Sequence, residues 1–141
     1  MKRAYLLTLF AALLFCSSCT TVKNLMHRDA EAKGAVTIQK QTLYPEKVSP
    51  GDTVLAEVHY HLTPPKGTKA LKITETRTLV GGDESMDLST KTFMRLAGDH
   101  SSVLEFTLPS DIEPGDYTLT TKVSCDQGEA TIGSKLGVMG Q

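Results

Sequence analysis

Three side chains that can bind a metal ion lie at alternate positions of one segment. Glu57, His59 and His61 are each separated by a single residue. On a β-strand such side chains share a face about 6.5–7 Å apart, so they could bind one ion if a neighbouring strand adds a ligand. A solvated polar strand face would carry the same residues without a metal. We adopt the polar-face interpretation and expect no metal or cofactor. A periplasmic metal- or ligand-binding protein that uses these three residues is the alternative.

Nucleophilic side chains lack the sequence context of a catalytic site. No serine lies in a Gly-x-Ser-x-Gly motif, which would place it on a sharp strand-to-helix turn. Cys125 is in phase with Leu119 and Val123, which predicts a buried thiol in the core. We expect His100 to lie in a turn, and the carboxylates are scattered without forming an acid–base pair. The sequence therefore predicts a protein that is not an enzyme.

The segment that carries the three metal-binding side chains is the clearest strand of the chain. In Asp52–Leu62, Val54, Val58 and Tyr60 alternate with the polar side chains, so one face is buried and the other is wet. From Ala35 onward, short β-branched runs alternate with Pro, Gly and Asp, which is typical of an all-β sandwich or barrel. The other predicted strands are Ala35–Leu43, Ala70–Val80, Asp87–Leu96, Ser102–Leu108, Asp116–Cys125 and Glu129–Val138, and in Asp87–Leu96 we place Leu88, Met94 and Leu96 on one face, with Met94 in the core.

The start of the sixth predicted strand contains a local motif. The run Glu113–Leu119 reads Glu-Pro-Gly-Asp-Tyr-Thr-Leu and resembles the tyrosine corner of immunoglobulin-like and fibronectin type III domains. The resemblance implies that the Tyr117 hydroxyl bonds to the backbone a few residues upstream and fixes the corner. Leu119 stands where antibody domains have a cysteine, and the chain has no tryptophan. The resemblance therefore implies a single disulfide-free, immunoglobulin-like antiparallel β-sandwich of about seven strands at residues 35–141.

The first 19 residues have the layout of a secretory signal peptide. Lys2 and Arg3 precede the apolar run Ala4–Phe15, and the small residues of Cys16–Cys19 follow. The apolar run would cover only about 20 Å as a helix, which is short of the bilayer core of about 30 Å. The sequence therefore predicts export.

The end of this segment resembles the lipobox of bacterial lipoproteins. Ser17, Ser18 and Cys19 match its last three positions, whereas Cys16 stands where leucine is usual. The resemblance implies that Cys19 becomes the first residue of the mature chain and carries acyl chains such as palmitate, which bind it to the membrane. Thr20, in place of an aspartate, favours the outer membrane, facing the periplasm. The alternative is an ordinary secretory cut near Ser18 that leaves Cys19 as a thiol.

Composition limits the mature chain to one domain and narrows its partners. Residues 20–34 are polar and charged and are predicted to be a tether. Of the 15 Lys and Arg residues, Lys2 and Arg3 would be removed, so 13 remain against 16 acidic residues, a net charge of −3. Because no basic cluster is present, we exclude nucleic-acid binding. If Cys19 carries lipid, Cys125 has no cysteine partner within the chain, so no internal disulfide is expected.

The sequence thus predicts a lipid-anchored protein of the bacterial cell envelope with three parts: a signal peptide at 1–19, a tether at 20–34 and a sandwich at 35–141. We expect the sandwich to be a structural or protein-interaction module that takes part in envelope assembly or scaffolding. The membrane, reached through Cys19, and a protein partner are the predicted contacts.

Overall fold

The computed structural model describes residues 35–140, which form a sandwich of two open β-sheets. The predicted all-β sandwich is confirmed, and no helix occurs within this range. None of the described elements is a helix long and apolar enough to cross a membrane. The predicted signal peptide, the lipidation of Cys19 and the tether at 20–34 lie outside the described residues.

Eight strands make up the two sheets. One sheet has three strands in the order β1-β3-β6, and the other has five in the order β2-β8-β7-β4-β5. The chain crosses between the sheets after β1, β2, β3, β5 and β6, so several neighbouring strands come from distant parts of the sequence. The strands are β1 (Val36–Tyr44), β2 (Lys47–Val48), β3 (Thr53–Leu62), β4 (Ala70–Gly81), β5 (Glu84–Leu96), β6 (Gly98–Thr107), β7 (Gly115–Cys125) and β8 (Gly128–Val138).

The strand count differs from the prediction, and so does the start of β6, which lies four residues before the predicted Ser102. The additional strand is β2, which is only two residues long and pairs in parallel with β8. It is too short to show an alternating pattern in the sequence. His100 lies within β6 and not in a turn, because that strand begins at Gly98. The hydrogen bond from its Nε2 to the Leu96 carbonyl, at 2.7 Å, joins it to the end of the preceding strand.

The predicted face of β5 was wrong beyond Leu88. Arg77 of β4 lies opposite Ser89 and Thr78 lies opposite Asp87, so Leu88 is an unpaired bulge residue. A bulge shifts the alternation of side chains by one position. Beyond it Phe93 packs inward, whereas Met94 and Leu96 face outward with 63% and 65% of their surface exposed.

The interior of the sandwich contains two apolar clusters, one towards each end of the strands. Both arise from the alternation of inward side chains along each strand. The upper cluster contains Leu43, Val48, Val54, Ala56, Leu79, Leu108, Ile112, Tyr117, Leu119, Leu136 and Val138. The lower cluster contains Ala35, Val36, Val58, Tyr60, Leu62, Leu71, Ile73 and Val123.

Candidate functional site

The three predicted metal-binding residues lie on the outer face of β3, and their contacts are with carboxylates. His59 Nε2 lies 3.1 Å from Glu57 Oε1, and His61 Nδ1 lies 2.8 Å from Asp99 Oδ1 on β6. All three side chains of the predicted set are half-buried. The two imidazoles therefore have different carboxylate partners.

Asp99 receives two hydrogen bonds on one oxygen. Gln39 Nε2 donates to Asp99 Oδ1 at 3.0 Å, beside the contact with His61. The hydrogen bond from His61 lowers the pKa of Asp99, and the bond from Gln39 adds to this effect. Within residues 35–140 no group of three His, Cys, Asp or Glu side chains is arranged to hold a metal ion.

A second group of polar side chains lies inside the sandwich, between the two apolar clusters. The Tyr60 hydroxyl donates to Glu75 Oε1 at 2.7 Å, and the Ser102 hydroxyl donates to Glu75 Oε2 at 2.6 Å. Glu75 is 3% exposed and comes from β4, whereas its two donors come from the opposite sheet. Burial and the adjacent Glu75 carboxylate raise the pKa of Tyr60, so its hydroxyl keeps its proton.

Arg77 lies two residues after Glu75 on the same face of β4, and its side chain also bonds to the opposite sheet. Its Nη1 donates to the Ala56 carbonyl and its Nη2 to the Ser102 carbonyl, both at 2.9 Å. Nη2 lies 3.7 Å from Glu75 Oε2. Burial lowers the pKa of Arg77, while the Glu75 carboxylate opposes that shift. An arginine stays protonated in a folded protein, so the two residues form a buried ion pair.

Gln41 extends this polar layer to the other side of the sandwich. Its Nε2 donates to the Leu119 carbonyl and to Ser134 Oγ, each at 3.0 Å, and its Oε1 accepts from the Thr121 hydroxyl. The layer therefore runs through six strands and separates the upper apolar cluster from the lower one. We call this set, Gln41, Tyr60, Glu75, Arg77, Ser102, Thr121 and Ser134, the polar layer.

The polar layer was not predicted from the sequence, although one signal for it was present. Glu75 and Arg77 are in phase with Leu71, Ile73 and Leu79 on the inward face of β4. Two opposite charges two residues apart on an apolar strand face are candidates for a buried pair, because a buried charge needs a partner. The contributions of Gln41 and Ser102 depend on strand pairing and could not be found locally.

Tyr117 lies at the upper end of the sandwich and is 8% exposed. Its hydroxyl donates to the Glu113 carbonyl, four residues upstream, at 2.9 Å. Its ring occupies the space that a side chain at Gly81 would fill, so only a glycine fits there. The ring therefore packs against the end of β4, while the hydrogen bond joins the start of β7 to the loop that precedes it.

Three large apolar side chains are exposed together on the outer face of the three-stranded sheet. Tyr44 lies opposite Leu55 in the β1–β3 pair, and Val103 lies on β6, diagonal to Leu55. Their exposed fractions are 78%, 43% and 52% respectively. We call these three residues the outer patch.

The hydrogen bonds of the polar layer mainly hold the two sheets together. Each charged or hydroxyl group described above has a partner inside the protein, and most bonds cross from one sheet to the other. Cys125, predicted to be buried, is half-buried beside the lower cluster. Free surface is found outside this layer, for example at the outer patch and on the strand face that carries His59 and His61.

Comparison with known proteins identifies the fold but no family. No family model and no curated protein matches the sequence. Among solved structures, the sporulation control protein Spo0M of Bacillus subtilis is similar with a TM-score of 0.53 and 17% identity, over 77% of this chain and 51% of that one. The alkylpurine DNA glycosylase AlkC of Pseudomonas fluorescens is similar with a TM-score of 0.59 and 14% identity, over 76% of this chain and 31% of that one.

A third similar structure is the cupredoxin domain of amoB from Nitrosocaldus yellowstonii, with a TM-score of 0.51 and 13% identity, over 76% of this chain and 88% of that one. The chain spans about half the length of Spo0M and less than a third of AlkC. These β-domains belong to proteins of varied function. At such low identity the likeness shows a shared fold alone.

Proposed function

We propose that this chain is a lipid-anchored protein of the bacterial cell envelope whose immunoglobulin-like sandwich is a non-catalytic module for binding another protein. In this proposal Cys19 carries the lipid, residues 20–34 are the tether, and the domain faces the periplasm from the outer membrane. A partner protein docks on the outer face of the three-stranded sheet.

The outer patch is the observation that carries the proposal. Tyr44 on β1 and Val103 on β6 lie on either side of Leu55 on β3, and all three leave a large part of their apolar surface in water. Aromatic and aliphatic side chains that are grouped and exposed are typical of protein-binding surfaces, in which tyrosine is enriched among the residues that dominate affinity. Glu57 and Glu105 lie beside the patch and would form a polar rim.

The buried polar groups support a non-catalytic role. The charges and hydroxyls of Glu75, Arg77 and Ser102 are bonded to one another or to backbone carbonyls. A catalytic carboxylate or nucleophile must instead reach a substrate within hydrogen-bond distance. These groups are therefore better suited to fixing the two sheets.

The anchor is tested by replacing Cys19. Cys19→Ala should abolish incorporation of a labelled fatty acid, because it removes the residue that would carry the acyl chains. The protein should then be released from the membrane fraction, since stable anchoring needs two or more acyl chains. Cys125→Ala is the matched control and should keep both the label and the location. Equal labelling of the wild type and Cys19→Ala would refute lipidation at this residue.

The docking face is tested with photo-crosslinking amino acids in living cells. A crosslinker at position 44 should give discrete protein adducts, whereas one at Thr131, on the outer face of the other sheet, should not. Leu55→Asp should remove the adducts formed at position 44 while leaving the urea midpoint within about 0.5 kcal/mol of the wild type, as for other surface changes. Adducts that form equally at both positions, or that survive Leu55→Asp, would contradict the proposed face.

A further inference from the structure

The chain enters the sandwich at a defined end. The Ala35 carbonyl accepts a hydrogen bond from the Thr63 amide at 2.8 Å, just beyond the end of β3. Val36 pairs with Leu62, and Leu62 pairs in turn with Gly98 at the start of β6. The lower end of the sandwich therefore contains the entry of the chain, the loop after β3 and the junction of β5 with β6.

The distance from the proposed anchor to this end is short. Fifteen residues, 20–34, separate Cys19 from Ala35. Even a fully extended chain from Cys19 to Ala35 covers no more than about 58 Å. If Cys19 is held in a bilayer, the lower end is the part of the domain that the chain brings to the membrane first.

The lower end carries exposed lysines beside exposed apolar side chains. Lys66 and Lys69 lie in the loop between β3 and β4, and Lys72 lies opposite Met94 in the β4–β5 pair. None of these three lysines forms an ion pair within residues 35–140. Met94 and Leu96 are among the most exposed large apolar side chains of the described chain. We call Lys66, Lys69, Lys72, Met94 and Leu96 the lower rim.

Within residues 35–140 the lower end has three acidic side chains, and two of them already have partners. Asp99 is bound by His61 and Gln39, and Glu129 forms an ion pair of 2.7 Å with Lys122. Asp126, in the turn between β7 and β8, is the third.

The upper end of the sandwich has the opposite character. Its turns contain many exposed carboxylates. Lysines are few at this end, and one of them is Lys47 on β2. The domain is therefore polarised along its strands, and an anionic surface would repel the upper end while attracting the lower one. The exposed carboxylates of the upper end are those of Glu46, Asp52, Asp83, Glu84, Asp111, Glu113 and Asp116.

We propose that the lower rim is a membrane-contact surface, which seats the domain on the anionic phospholipids of the membrane in which Cys19 is anchored. The inference rests on the proposed lipid anchor. Each lysine near an anionic bilayer strengthens binding about fivefold. An exposed leucine or methionine strengthens it further when its side chain is buried in the headgroup region. Seated in this way, the domain turns its acidic end to the periplasm and leaves the outer patch, on the side of the sandwich, free for a protein partner.

The test uses the full lipidated protein reconstituted into vesicles. An environment-sensitive fluorophore is attached at Leu96→Cys in a Cys125→Ser background, and the control carries it at Ser110→Cys, at the upper end. Vesicles contain phosphatidylcholine with about 30 mol % phosphatidylglycerol, or phosphatidylcholine alone, together with a spin-labelled lipid as quencher. We expect strong quenching and a blue-shifted emission at position 96 only, and only with the anionic lipid.

Charge reversal then tests the lysines. Lys66→Glu with Lys69→Glu should weaken the contact at position 96 by at least about 25-fold, following the fivefold effect of each lysine. Lys47→Glu at the upper end is the matched control and should leave it unchanged. Equal quenching at positions 96 and 110 would overturn the proposal, and so would quenching at position 96 that ignores lipid charge or survives the double reversal.

Flotation of the vesicles distinguishes failure of the membrane-contact surface from failure of the lipid anchor. Protein that floats with vesicles but shows no quenching at position 96 refutes the membrane-contact surface and leaves the anchor intact. Protein that does not float refutes the anchor itself, and with it the orientation that the anchor would impose.

Discussion

Replacing Arg77 by methionine should be among the most damaging changes at any charged position of the domain. The substitution keeps much of the side-chain volume but removes the donors to the carbonyls of Ala56 and Ser102. It also leaves the Glu75 carboxylate, 3% exposed, without its cation. Breaking a buried ion pair in this way costs about 3–5 kcal/mol. A domain of this size has a free energy of unfolding of about 5–15 kcal/mol, so the loss is a large part of the total.

The assay is equilibrium unfolding in urea of protein expressed without residues 1–19. With a slope of about 1–3 kcal/mol per molar urea, the midpoint for Arg77→Met should fall by about 2 M. Glu75→Gln combined with Arg77→Met should cost at least about 1 kcal/mol less than the sum of the two single changes, because neither partner is then left as an unpaired charge.

An exposed ion pair provides the control. Lys122 Nζ lies 2.7 Å from Glu129 Oε2, closer than the 3.7 Å between Arg77 and Glu75, yet both partners are solvent-exposed. Lys122→Met should therefore cost less than about 1 kcal/mol. The reasoning is refuted if Arg77→Met costs no more than Lys122→Met, or if the double variant is simply additive, since either result would mean that water reaches the pair.

Other changes test individual side chains. Tyr117→Phe should lower the free energy of unfolding by about 0.5–1.5 kcal/mol in urea melts, whereas Tyr44→Phe on the surface should not; equal midpoints would mean that the Tyr117 hydroxyl is not bonded to the backbone. Thermal melts with and without zinc or copper should coincide, and a metal-dependent rise that His59→Ala with His61→Ala abolishes would establish the metal-binding alternative. Because burial, together with the bond to Glu75, raises the pKa of Tyr60 on folding, stability should be complete below about pH 10 and fall as the pH rises further; Tyr60→Phe should reduce this alkaline slope, and an unchanged slope would contradict the burial of the Tyr60 hydroxyl against Glu75.

Much of the fold could be predicted from local patterns. Period-two alternation in Asp52–Leu62 gives the buried face of β3 because successive side chains of a strand point to opposite sides. The turn before β3, with Pro50 and Gly51 at its centre, is closed by a bond of 3.0 Å from the Asp52 amide to the Ser49 carbonyl, with Gly51 at a φ of 85°. These features depend only on neighbouring residues, so the sequence is sufficient for them.

The second half of β5 could not be predicted in this way. The bulge at Leu88 arises where β5 pairs with β4, and it reverses which side chains face inward from that point onward. The residue pattern of one strand does not show how that strand is aligned with its partner strand. For that reason the sequence pattern predicts Met94 in the core, whereas the structure places it on the surface.

The polar layer shows most clearly where local reasoning ends. Local patterns in the sequence are sufficient for an all-β domain, the buried face of β3, and the polar face that carries Glu57, His59 and His61. Only the tertiary structure brought Glu75 and Arg77 of one sheet against Tyr60 and Ser102 of the other. The reason is physical: hydrophobic alternation is local, whereas a buried charge is acceptable only if partners from distant strands satisfy it, and those partners are set by how the two sheets pack.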